Sequence, residues 1–146
     1  GISVASHHLR KAQVAERQAR ATVEVLRALE VPIEIEAIYP DTACPGSGIS
    51  LWAEFEGTIL GADAIGEPGK RSEAVGREAA EALLEEIRSS ATVDRHMADQ
   101  LIPFLGLFGG TYRFRELTDH MRVNIEVISR FTGRRFQLEG GILRVL

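Results

Sequence analysis

The chain has 146 residues, 45% apolar and 26% charged, the composition of an ordinary soluble globular protein with room for one sizeable domain or two small ones. Its net charge of −4 argues against a whole-surface nucleic-acid binder, which needs a basic footprint. The lone Cys44 excludes an intramolecular disulfide and points to a reducing, cytoplasmic setting; no apolar run is long enough to span a bilayer, and no signal-peptide pattern opens the chain.

Residues 2–6 form a short β-capable run. Residues 9–29 read as a helix, with Ala15, Ala19, Thr22, Val23, Leu26 and Leu29 on one side, and Pro32 stops it. Residues 31–39 alternate, Ile33, Ile35, Ala37 and Tyr39 opposite Glu34 and Glu36, as a half-buried strand does. PDTACPGSG (residues 40–48) is a turn-rich loop; no Lys-Ser/Thr follows its glycines, so a hairpin connection fits better than a phosphate cradle. Cys44 has no His or second Cys beside it and reads as a bystander.

Residues 49–56 and 58–65 read as two paired strands around Gly57, with Glu54 and Glu56 on the solvated face and therefore without a catalytic role. A helix follows over residues 71–89, with an apolar stripe of Val75, Ala79, Ala82, Leu83 and Ile87. Gly76 inside it costs roughly 1 kcal/mol against Ala, which predicts a close backbone approach there. Lys70 and Arg71 could hold a phosphate, but a solvated basic pair is the simpler account. A first domain, residues 1–90, thus runs strand, helix, three strands, helix.

The second domain, residues 91–146, is predicted as helix, strand, helix, strand, strand, so the whole chain is α+β. In the first helix Asp94 is a candidate N-cap. Met97, Leu101, Phe104, Leu105 and Phe108 make the predicted buried stripe, while His96, Asp99, Gln100 and Pro103 share another face. Pro103 should kink the helix. Residues 112–116 (YRFRE), 135–138 and 142–146 are the strands. Arginines 113, 115, 122, 130, 134, 135 and 144 leave a local basic patch open.

Residues 117–131, LTDHMRVNIEVISRF, form the last helix. Thr118 or Asp119 serves as N-cap, Met121, Ile125 and Ile128 give the apolar face with Phe131 near its end, and Gly133 sits where a left-handed residue closes a helix. His120 then lies in the first turn, at the positive end of the helix dipole, a place that favours neutral imidazole and draws phosphate oxygens. Such an imidazole is a nucleophile candidate. On spacing alone, a plain polar first-turn residue accounts for it equally well. The other histidines are His7, His8 and His96. His7 and His8 should point apart, and His96 and His120 lie on different helices, so no metal site is expected. No G-x-S-x-G context supports a serine triad.

HMRVNIEVISRF resembles the histidine-bearing C-terminal motif of the RNA 3'-terminal phosphate cyclases, loosely H-x-x-T/V-N-I-x-V-I-x-x-F. LGADAIGEPGKRSEAVGREAA (residues 60–80), ADQLIPFLGLFGG (residues 98–110) and VAERQA (residues 14–19) resemble the same family in collinear order. The resemblance implies that residues 1–90 are a small inserted domain of thioredoxin-like arrangement, without the C-x-x-C that redox work needs, and that residues 91–146 belong to a catalytic α/β repeat. It also implies that the chain is a C-terminal portion, lacking N-terminal repeats that carry further active-site residues.

The activity implied is ATP-dependent, ligase-type conversion of an RNA 3'-phosphate to a 2',3'-cyclic phosphate, with Mg2+ or Mn2+. The matching nucleophile is His120, which would carry AMP. Asp99 and Gln100 match an Asp-Gln pair on the helix lining the nucleotide pocket. His96 falls where some members place an aromatic ring against adenine. The expected partners are ATP, RNA 3'-phosphate ends and the missing repeats, with no membrane. Without those repeats this chain should not catalyse cyclisation by itself. The rival readings are a non-catalytic, ribosome-assembly branch of the same fold, and a free-standing interaction domain.

Overall fold

The computed structural model describes residues 1–146, which form two compact units: residues 1–53 with 61–85, and residues 54–60 with 86–146. The fold is mixed α+β, as expected. Element order in the first part is β1 (Ile2–Ala5), α1 (Val14–Leu26), β2 (Glu36–Ile38), β3 (Ser47–Phe55), β4 (Thr58–Ile65) and α2 (Ser72–Arg88). The sheet order is β2-β1-β3-β4, with β1 parallel to β2 and antiparallel to β3.

Local chemistry trims several expected boundaries. The helix expected over residues 9–29 is split: a 3-10 turn, His7–Ala12, precedes Gln13, whose φ of 50° breaks the α run before α1 starts. In that tight turn the His7 and His8 rings stack with centroids 3.8 Å apart, instead of diverging, and His7 Nδ1 lies 3.0 Å from Asp41. Of the strand expected over residues 31–39, only Glu36–Ile38 joins the ladder. Burial still alternates through residues 33–37, so the periodic signal was that of a half-covered extended segment.

The interior of the first unit is closed by small residues and by a satisfied polar core. Gln18 is fully buried; its amide donates to Ser47 Oγ at 3.0 Å and accepts from Ser3 Oγ at 2.8 Å. The expected stripe missed Gln18, because glutamine is ordinarily exposed unless fully hydrogen-bonded. Gly76 meets the expectation of close approach: a Cβ there would stand 2.2 Å from the Gln18 carbonyl oxygen. Thr22 Oγ1 donates to the Gly76 carbonyl at 2.9 Å, and Arg17 grips Glu73 through two bonds of 2.7 and 2.9 Å. That guanidinium holds the Glu73 carboxyl down from the ordinary 4.5 to about 2.

The second unit contains α3 (Arg95–Gln100), α4 (Ile102–Phe108), β5 (Thr111–Arg113), α5 (Asp119–Thr132), β6 (Phe136–Glu139) and β7 (Ile142–Val145). Its sheet is antiparallel in the order β5-β7-β6. Ala98, Ile102, Leu105, Tyr112, Phe114, Met121 and Leu143 form its core. Of the expected helical stripe, Leu105 is buried and Leu101 packs against the core, whereas Met97, Phe104 and Phe108 are exposed. The buried arc is Ala98, Ile102, Leu105 and Gly106, because Gly106 lets α5 come close: a Cβ there would stand 2.2 Å from an Ile128 methyl. Phe131, expected near the apolar edge of α5, is 85% exposed.

Candidate functional site

The expected kink falls one residue before Ile102. Asp94 caps α3, accepting from the amides of His96 and Met97 at 3.0 and 2.8 Å, and α3 ends at Gln100 with Leu101 as hinge. Pro103 has no N–H to give the carbonyl four residues earlier, which is that of Asp99. Asn124 of α5 donates to this carbonyl through its side-chain amide at 3.3 Å. Asn124 stands four residues after His120, on the same side of the helix. The proline's missing donor thus tethers α5 to α3 next to the histidine. Sequence reasoning missed Asn124, although its i+4 spacing from His120 and the i−4 offset of Asp99 from Pro103 were both readable.

Thr118, not Asp119, is the N-cap of α5; its hydroxyl accepts from the Met121 amide at 3.1 Å. Gly133 closes the helix at φ 69°. His120 is the second residue of α5, where backbone N–H groups lack intrahelical partners. Its ring is 86% exposed, and Nδ1 lies 3.6 Å from Asp99 Oδ2, a carboxylate only 21% exposed. Tyr112 buttresses the same turn by donating its hydroxyl to the Ala98 carbonyl; burial first, then Asp99, pushes that phenol far up. The structure therefore brings His120 and Asp99 together. Gln100 and His96 are exposed on α3, and Phe104 and Leu107 continue its solvent side into α4.

Elsewhere, Lys70 is engaged by Glu78 and by the Ile65 carbonyl at 3.3 Å, and does not stand free for a phosphate. Cys44 is exposed; with Ser6, Thr42 and Ser47 it lines a hollow of about 200 Å³. No three His, Cys, Asp or Glu side chains converge on a common point. No helix is long and apolar enough to cross a membrane.

An α+β protein with an exposed first-turn histidine facing a half-covered carboxylate is the class that the geometry defines. Residues 1–88 match the family described as RNA 3'-terminal phosphate cyclase (RTC), insert domain. The chain is 47% identical over 131 residues to an RNA 3'-terminal phosphate cyclase of Pyrococcus furiosus, covering 90% of this chain and 38% of that protein. Proteins of the same name from Thermococcus gammatolerans and Saccharolobus islandicus are 46% and 45% identical, over 92% and 88% of this chain and 41% and 39% of theirs. The chain belongs to the RNA 3'-terminal phosphate cyclase family. It spans about two-fifths of the length of these relatives. A match of 131 residues leaves at most 15 of the 146 outside it, so it takes in residues 16–131 and with them the His120–Asp99 pair.

Proposed function

We propose that this chain supplies the nucleophilic histidine of an ATP-dependent RNA 3'-phosphate cyclisation, and needs the rest of the length its relatives carry in order to turn over. The observation that supports this most is the His120–Asp99 geometry at the start of α5. Asp99 takes the Nδ1 proton side of the ring and leaves Nε2 outward. The 3.6 Å separation suits a pair that tightens when substrate binds. Nε2 attacks the α-phosphorus of ATP; a P–N bond forms, the bond to the β-phosphate oxygen breaks, and pyrophosphate leaves. AMP then passes to the oxygen of an RNA 3'-phosphate, restoring the imidazole. The neighbouring 2'-hydroxyl attacks that phosphorus, expels AMP and closes the 2',3' ring.

Positioning and charge stabilisation dominate such transfers. The first-turn amides of α5 offer donors to phosphate oxygens. Gln100 and His96, exposed on α3, are the groups for the nucleotide: an amide for its polar edge and an imidazole to stack on the base. A divalent cation, when bound, would lower charge repulsion on the phosphates.

The test joins this chain to the remainder of the Pyrococcus furiosus relative, in place of the stretch it matches, and adds ATP labelled at the α-phosphorus with Mg2+ or Mn2+. The chimera should acquire acid-labile, alkali-stable label and cyclise RNA 3'-phosphate ends. His120→Asn should abolish both, and the 146-residue chain alone should take no label. Full cyclisation by the His120→Asn chimera would favour a non-catalytic role for this segment, and robust labelling of the isolated chain would remove the need for the remainder.

A further inference from the structure

In the second unit the antiparallel sheet β5-β7-β6 has two unlike sides. Residues directly opposite each other on paired strands share a side. Tyr112, Leu143 and Leu138 therefore stand together, and Thr111, Arg144 and Gln137 stand together on the other side. Tyr112 and Leu143 belong to the core, so the second row turns away from it. Arg113 and Glu139, both opposite Ile142, lie on that open side too. The pairing of β6 with β7 runs one step further, where the Leu146 N–H donates to the Arg135 carbonyl at 2.9 Å. Arg135 stands two residues before Gln137 and shares its side.

Arg113, Arg144 and Arg135 thus occupy three neighbouring strands, level in turn with residues 142, 144 and 146. They form one diagonal line with steps of about 7–8 Å between Cβ atoms. All three are exposed. Other arginines of this unit are held by carboxylates, Arg95 by Glu116, Arg115 by Glu86 and Arg130 by Glu126, whereas the three on the diagonal pair with none. Glu139 stands off the line and accepts from the Gln137 amide at 3.1 Å. Neighbouring like charges on a sheet oppose folding, and the chain has acids to spare, 21 against 17 basic residues. The line is a cost to the fold and not a support of it.

We propose that this open side of the sheet binds the sugar–phosphate backbone of single-stranded RNA, with Arg113, Arg144 and Arg135 each facing a phosphate. The guanidinium fork matches phosphate oxygens as an ammonium group does not. Thr111 and Gln137, on either side of Arg144, add polar groups to the middle of the line. Tyr112, Phe114 and Phe136 belong to or pack against the core on the other side, so the bases have no ring to stack on and the contact is blind to sequence. Met121 of α5 lies in that same core; the helix that carries His120 is thus on the far side of the sheet, and the line holds the body of the RNA, not its reacting end. The identity of the polyanion rests on the proposed function; the line of charge does not.

The test measures binding of a fluorescent oligouridylate of about 16 nucleotides to the 146-residue chain, by anisotropy across a KCl series. Affinity should fall with salt with a logarithmic slope of about −2, since each phosphate neutralised on a single strand contributes about −0.7. Oligoadenylate of the same length should bind alike. Arg113→Gln, Arg135→Gln and Arg144→Gln together should lower affinity roughly tenfold or more at low salt and flatten the slope, with the circular dichroism unchanged. Arg144→Gln alone, the mildest change, should lessen the slope by about 0.7. No binding at low salt, or equal binding by the triple variant, overturns the inference. Preference for polyglutamate over RNA, or displacement of the RNA by equimolar inorganic triphosphate, assigns the line to another anion and overturns it as well. The chimera separates this surface from the adenylyl chemistry: the triple replacement should raise KM for the longer RNA and leave AMP labelling unchanged. A chimera that takes no label, while RNA binding depends on the line, contradicts the chemistry alone. One that labels and cyclises with a KM indifferent to the line contradicts this inference alone.

Discussion

The two units solve the burial problem differently. In the first, exposed large apolar side chains are limited to Val31, Trp52 and Ile65, whereas the second unit, though shorter, exposes eleven, from Phe55 to Leu146. The first also buries its polar groups with partners: Ser3, Gln18 and Thr22 satisfy one another, Ser47 and two backbone carbonyls. The second buries Glu86 with one carboxylate oxygen lacking a hydrogen bond and Arg115 3.2 Å from the other. The second unit thus leaves more of its large apolar side chains in water than the first, and it carries His120. What differs is not amino-acid composition but which side of each helix has something to lie against.

The comparison can be broken most severely at the second core. Met121 is fully buried between α5 and the rest of that unit, and Met121→Ala should cost about 2–5 kcal/mol, read by chemical denaturation. A loss under about 1 kcal/mol would mean that this core carries little. Next come the two tight glycines. At Gly76 an added methyl meets backbone, the Gln18 carbonyl, so Gly76→Ala should cost about 1–3 kcal/mol. At Gly106 it meets the Cγ2 methyl of Ile128, which branches at Cβ and is held to one rotamer on a helix, so Gly106→Ala should cost a comparable amount. Thermal unfolding checks both, and a loss under about 0.5 kcal/mol at either position would contradict the close approach described there.

Acid titration sharpens the contrast more gently. Glu73 has its carboxyl depressed to about 2 by Arg17. Its contribution is present above the ordinary 4.5 and is lost as pH falls toward 2. Glu73→Gln should flatten that acid limb, with Trp52 fluorescence as the probe. Glu86 is displaced the other way: burial pushes its carboxyl up against the pull of Arg115. Its contribution is complete below the ordinary range and declines as pH rises through the raised value, so Glu86→Gln should lessen that decline. If both variants shift the same limb in the same direction, the two environments are not opposed as described. The smallest effect belongs to the outer face. Phe131→Ser should change the stability of the isolated chain by less than about 0.5 kcal/mol while reducing its aggregation, as seen by light scattering.

The β-α-β-β-β-α order, the pairing of β3 with β4 and the caps Asp94 and Gly133 were legible in the sequence, because each depends on neighbours in the chain, while the N-cap of α5 stayed open between Thr118 and Asp119. Gly76 signalled a close approach but not its partner, Gln18. What was not legible depends on partners distant in it. Gln18 looked like a surface residue until Ser3 and Ser47 closed around it. The α3–α4 stripe was assigned to its bulkiest residues, yet the side that Gly106 opens to Ile128 is the one buried. An apolar pattern tells which side avoids water, and in this unit two sides do. At the site, His120 and Asp99 were nominated separately by motif; their 3.6 Å approach and the Asn124 tether that arranges it needed three dimensions. Of the arginines of the last third, Arg113 and Arg144 lie on paired strands, and Arg122 and Arg130 face carboxylates of their own helix.

The most direct measurement is peptide mapping by mass spectrometry of the chimera quenched in alkali after brief exposure to ATP without RNA. The account predicts a single AMP adduct, on the peptide that contains His120, fragmenting at a ring nitrogen and diminished in Asp99→Asn by about a hundredfold in its rate of formation. An adduct on any other residue, or an undiminished one in His120→Asn, would contradict it.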